Sequence, residues 1–405
     1  MNLKIISKST NIDLQEFEIV ERKGKGHPDT LADRLAENLS IRYSEHTRER
    51  FGIILRHQFD KLTLMGGKSE VEFGRGKMVS PVRLLLNGRV SKEMGNKTID
   101  FRDMLFGECE NFLNAELKNF DFSLNCRVLF ETTSNSTRGL IDNSGNNSIS
   151  YRFSPRTIND LPESSMPLAN DTAMGCAFAP LSSLEQLVTE IENHLSLEAV
   201  NKYPWIGTDI KIMAYRVKND VHITLAVPQI CTDINSTAEY FDNIQTLNQI
   251  VGEITTKYEW MNVKFEINPS DNSSKGILYL RLTGSCIESG DEGMVGRGNR
   301  IGGIISSCRP FSIEGLNGKN PAYHAGKLYS VAAWDIANLI WMNFHVPCEV
   351  FIISQIDRPL NDPWKVIINC ASRIDEEAAN VLATGVLSNI STLTDKILNR
   401  QYPLC

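Results

Sequence analysis

The densest concentration of chemically able residues is Gly284 to Gly303, reading GSCIESGDEGMVGRGNRIGG, where seven of the chain's 27 glycines fall within twenty positions. Glycines at this density let backbone amides approach an anion closely, Arg297 and Arg300 add fixed positive charge, and Asp291 and Glu292 offer hard oxygens to a divalent cation. Glycine content alone would suit a plain surface loop; both charge signs side by side point to a ligand. A second cluster, Glu21-Arg22-Lys23-Gly24-Lys25-Gly26-His27-Pro28-Asp29, is basic and Gly-rich and runs into a helix start, where amide donors and the positive dipole end favour phosphate. Asp29 or Thr30 would equally serve as an ordinary N-cap.

The common nucleotide signatures are missing. Gly315-Leu316-Asn317-Gly318-Lys319-Asn320 lacks the GxxxxGK[ST] spacing, and Gly296 to Ile301 breaks GxGxxG at its last position. A net charge of -7 provides no broad basic field, so the anionic ligand is expected to be small, with no nucleic-acid partner. Nine cysteines stand without a CxxC pair or metal spacing, which fits reduced thiols. Met1 to Thr10 is no signal-peptide apolar region and no later stretch approaches a membrane span, so a soluble, cytoplasmic protein with no membrane partner is expected.

Taken together, GHPD at Gly26 to Asp29, GDEGMVGRGNRIGG and GKNPAYHAGK at Gly318 to Lys327 resemble the archaeal-type S-adenosylmethionine synthetases. The likeness extends through Asn170 to Gly175, Gly207-Thr208-Asp209-Ile210-Lys211 and Gly66-Gly67, so it covers most of the chain. In that family the methionine sulfur attacks C5′ of ATP and expels triphosphate, which is then cut to phosphate and diphosphate. A leaving group of about four negative charges needs cations waiting along its path.

The resemblance therefore implies ATP and L-methionine as substrates and Mg²⁺, a pair of ions per site, as cofactor, with K⁺ left open. It implies that His27, Lys211 and Arg297 are catalytic and that Asp29 and Asp291 hold metal. It further implies that Glu21, Asp171, Arg300, Lys319 and Lys327 bind substrate, as do Ser136 and Arg138 of a loop, Ser134 to Ile141, matching one that contacts ATP. This chain departs from bacterial and eukaryotic relatives, which carry lysines at the positions of Gly298 and Tyr323. Gly139 stands where an acid is expected, and Asp60 is the nominee for a monovalent cation. His46, His57, His194, His222 and His345 show no triad or metal spacing.

Two rival readings are another phosphate-handling enzyme, such as a triphosphatase or nucleotide kinase, and a non-catalytic paralogue that regulates a true synthetase. The paralogue should have lost His27, Lys211, Asp29 or Asp291; all four are present.

The elements that must position these residues are legible in part. Helices are expected at Leu31 to Phe51, Ser182 to Leu197 with a capping box, Thr237 to Tyr258, and about 325–343 and 375–398. Strands are expected at Val79 to Val90, Leu124 to Thr132, Asp209 to Val217 paired with Val221 to Val227, Ile277 to Thr283, and Glu349 to Ser354. Hairpin-like pairs outnumber strand-helix alternation, which predicts an α+β fold with mixed or antiparallel sheets. The polar stretches Asp142 to Pro167 and Asn268 to Lys275 divide the chain into 1–142, 143–268 and 269–405. The resemblance implies three similar subdomains in a pseudo-threefold arrangement with helices outside. It also implies a homodimer, further paired or not into a tetramer, with active sites at the interface.

Overall fold

The computed structural model describes residues 2–135 and 151–405. Three larger sheets carry the fold, each with helices on one face over its own apolar cluster. The first orders Gly293–Met294, Thr63–Met65, Val82–Arg89 and Cys126–Thr133. It packs on helices Pro28–Phe51 and Phe101–Glu116, burying Leu31, Leu35 and Leu39 against Leu84 and Leu86. The central sheet orders Asn262–Ile267, Asp220–Ala226, Lys211–Val217, Phe17–Lys23 and Ile305–Ser306, backed by helices Ser183–Asn193 and Thr237–Thr255. The third joins Leu3–Ile6 in parallel to Lys365–Cys370, followed by Cys348–Ile353 and Met174–Ala179, under helix Ala325–Phe344. The mixed sheets make this the α+β class that hairpin-like patterning predicted.

Strand pairing crosses the sequence boundaries at 142 and 268. The N-terminal strand Leu3–Ile6 completes the C-terminal sheet, and Phe17–Lys23 sits inside the central one. Local expectations differ in several places. Val79 to Val90 is split at Pro81 between strands Arg75–Ser80 and Val82–Arg89 of different sheets, and Leu124 belongs to the short helix Phe122–Asn125 ahead of its strand. Within Ile277 to Thr283 only Leu280–Arg281 is strand, pairing with Gln229–Ile230. The 375–398 helix is two, Glu376–Ser388 and Thr392–Leu398. Ser182 does form its capping box with Glu185, and Lys211–Val217 alternates exposed and buried residues, the period of a half-buried strand.

Candidate active site

The site starts where strand Phe17–Lys23 runs out. Gly24 N and Gly26 N donate to Ile210 O at 2.6 Å and Thr208 O at 2.9 Å. A Cβ on Gly26 would stand 2.3 Å from Thr208 Oγ1, so glycine is required for the two segments to lie this close. Their register sets Lys211 opposite Lys23. The chain then turns into helix Pro28–Phe51, with Pro28 in its first turn and His27 as N-cap, Nδ1 accepting from Asp29 N at 3.1 Å. Because Nδ1 accepts, the proton of the neutral imidazole is assigned to Nε2, which is left as a donor.

The Gly-rich loop is fastened along this helix start. Asp29 Oδ1 accepts Met294 N at 3.0 Å, and Asp33 accepts Gly296 N at 2.7 Å and Gly298 N at 3.0 Å. Asn299 bonds both main-chain groups of Lys23, at 2.8 and 3.0 Å. A Cβ on Gly293 would lie 1.9 Å from Pro28 O, and one on Gly298 would lie 2.3 Å from Asp33 Oδ2. Gly298 is therefore tied to Asp33, and a lysine there would need the Asp33 carboxylate or the loop to move. Arg297 is exposed between two anchored amides. At the other end of the loop, Ser285 Oγ donates to Gly26 O at 2.7 Å, and Gly66 packs on Gly290 and Asp291.

Burial holds the His27 imidazole down to about 4, with Lys23 and Lys211 acting in the same direction and Asp29 and Asp291 opposing. It is a neutral donor near pH 7. Burial pushes the Asp33 carboxyl up to about 7 against the two loop amides. Lys211 Nζ lies 3.2 Å from Glu21 Oε1.

Glu21, His27, Asp29, Lys211, Asp291 and Arg297 thus come from three distant segments onto one end of the central sheet and the loop beside it. The other predicted residues do not join them. Lys319 and Asp171 line a separate polar cleft of about 640 Å³ with Asp60, Arg89 and His324. There Lys319 Nζ meets Asp60 at 2.8 Å and Glu314 at 3.0 Å. Burial works against the Asp60 charge, yet Lys319 and Lys61 draw its carboxyl down to about 2. Arg300 turns inward, its Nη1 on Gly296 O at 2.6 Å. Lys327, expected to donate to phosphate, is fully buried: its ammonium meets both Glu37 oxygens at 2.6 Å and Lys319 O at 3.0 Å, leaving no donor for a ligand. Tyr323 is also buried, stacked under Arg56 at 4.2 Å. Ser136 and Arg138 lie outside the described residues. Lys23 and Asp33 went unnoticed in sequence. Lys23 stood inside the basic run already singled out, and Asp33 is four residues after Asp29, hence on the same helix face.

No group of three or more His, Cys, Asp or Glu able to hold a metal occurs among the described residues. Two carboxylates that both act on His27, Asp29 and Asp291, are of the kind that could share a hard divalent cation with phosphate oxygens and water. Fold and site together define an α+β protein that gathers lysine, arginine and a neutral imidazole, groups suited to a small polyanion, at one end of its central sheet.

Comparison with known proteins is more specific. The S-adenosylmethionine synthetase (AdoMet synthetase) family profile matches residues 2–401, and the chain belongs to that family of methionine adenosyltransferases. It is 35% identical over 401 residues to the S-adenosylmethionine synthase of Thermoplasma acidophilum, covering 96% of each chain. It is 34% identical over 395 residues to the probable S-adenosylmethionine synthase of Aquifex aeolicus, covering 96% of this chain and 95% of that one. An unusual S-adenosylmethionine synthetase from Campylobacter jejuni shares the fold at a TM-score of 0.56 and 13% identity, over 96% of this chain and 90% of that one. No helix among the described residues is long and apolar enough to cross a membrane.

Proposed function

We propose that the chain forms S-adenosylmethionine from ATP and L-methionine by sulfur attack on C5′, with the triphosphate leaving between strand residue Lys211 and the Gly-rich loop. The carrying observation is that strand register and loop anchoring bring His27, Asp29, Lys211 and Arg297 to the same end of the central sheet. His27 Nε2–H donates toward the departing oxygen. Lys211 and Arg297 are preplaced to stabilise the developing phosphate charge without reorganisation, and Glu21 holds Lys211 beforehand. Asp29 and Asp291 hold Mg²⁺, which when bound neutralises phosphate charge as a Lewis acid. The test is mass detection of S-adenosylmethionine from ATP, L-methionine and Mg²⁺, with phosphate and diphosphate quantified beside it. Triphosphate hydrolysis without that product would support the hydrolase reading instead. Asp291→Asn is expected to raise the Mg²⁺ concentration for half-maximal rate by about tenfold or more; an unchanged Mg²⁺ titration removes Asp291 as a ligand.

The working unit of this proposal is a homodimer. Phe17, Ile19, Met213, Tyr215 and Val217 lie 39 to 54% exposed on the outer face of the central sheet, in the same rows as Glu21, Lys23 and Lys211. Contiguous apolar surface of this kind marks an association site. A second copy covering it would bring its own Lys319 and Asp171 cleft toward Lys211, uniting two groups that one chain keeps apart. Cytoplasmic location, pseudo-threefold symmetry and the three-part division of the chain belong to the same proposal. Met213→Glu together with Tyr215→Glu should yield a monomer by light scattering and abolish synthesis. A double variant that stays dimeric places the interface elsewhere.

A further inference from the structure

The ammonium of Lys23 sits between two hard oxygens, Asp29 Oδ2 at 2.9 Å and Arg297 O at 2.8 Å. One carboxylate oxygen with one main-chain carbonyl is the beginning of a cation site. Here the chain supplies the cation itself. We propose that Lys23 is a built-in cation of the site, a positioning residue that binds the Arg297 carbonyl to the first turn of the helix and holds the Asp29 carboxylate aimed.

Three observations carry this. The main chain of Lys23 is clamped on both its N–H and its C=O by Asn299, so the root of the side chain is fixed. Lys211 stands directly across the ladder, where two like charges are unfavourable unless each has its own counter-charge. Each has one: Lys23 on Asp29 and Lys211 on Glu21. The two ammonium groups also differ in access. The Lys211 side chain is 47% exposed and able to meet a ligand, whereas that of Lys23 is 12% exposed and held. Lys23 therefore acts through Asp29 and Arg297, by charge as much as by geometry.

The inference rests on the proposed synthesis, so the unaltered enzyme must first make S-adenosylmethionine. Lys23→Gln keeps N–H donors without charge on a side chain one methylene shorter, and Lys23→Ala opens the seat. Both should lower kcat/KM for ATP by about 100-fold while the protein stays folded by circular dichroism. Methylammonium should restore Lys23→Ala by about tenfold, in the manner of an intramolecular group replaced by a free one, whereas tetramethylammonium, which lacks N–H, should restore nothing. Lys23→Gln at the full rate, or a loss in folded Lys23→Ala that methylammonium leaves untouched, overturns the proposal. If Lys23→Ala does not fold, Lys23→Gln decides. Mn²⁺ binding followed by electron paramagnetic resonance without nucleotide is independent of synthesis. Removing Lys23 frees two oxygens and should tighten Mn²⁺, and unchanged affinity in both variants overturns the built-in cation even if the unaltered chain makes no product.

Discussion

Lys211→Met is expected to lower kcat/KM for S-adenosylmethionine formation by about 10³-fold, roughly 4 kcal/mol of barrier, while ATP still binds. The lysine is nearly half exposed at the start of its strand, so methionine of similar length should leave the sheet intact. What is lost is a preplaced positive charge next to His27 and the loop, at the moment when the leaving phosphate gains negative charge. Ground-state ATP has other cations around it, so its affinity should fall less than the rate. Steady-state kinetics together with equilibrium binding of a non-reacting ATP analogue separate the two, and near-normal turnover would remove Lys211 from the proposed mechanism.

Lys327→Met is expected to act on stability instead, by roughly 3–5 kcal/mol, because it leaves Glu37 as a buried charge without its partner. Burial pulls the Lys327 ammonium toward its neutral form and Glu37 opposes this. Glu37 also accepts Gly318 N at 3.0 Å, so the pair anchors the turn that presents Lys319. The urea midpoint of the variant should drop sharply, and Glu37→Leu combined with Lys327→Met should recover part of the loss. A variant that melts normally but shows a raised KM for ATP would instead mark Lys327 as a direct phosphate donor.

These two lysines show how far residue type can be read. Lys211 sits in a strand whose alternation is visible in the sequence, so its placement on an open face followed from the pattern. Lys327 is part of a helix that is apolar nearly all round, and its partner is 290 residues away. No local spacing announces that pairing. Phe17–Lys23 lacks a visible pattern for a related reason: Phe17 and Ile19 point outward while Glu18 and Arg22 are buried, which inverts the two-residue period that marks a half-buried strand. The apolar spacing of 375–398 continues through Ile390 and predicts one helix, whereas the structure ends the first at Ser388, with Asn389 as its C-cap, and starts the second at Thr392.

By itself the sequence determined the α+β class, the Gly-rich loop, the helix start at His27 and the family, since short motifs, caps and alternation are local properties of the chain. Only the tertiary structure decided which cations stay exposed and which are paired. It placed Lys211 and Arg297 on the surface, drew Lys23 onto Asp29, Lys319 onto Asp60 and Lys327 onto Glu37. The physical reason is that an ammonium goes wherever a carboxylate can offset its desolvation, and those carboxylates arrive from elements distant in sequence.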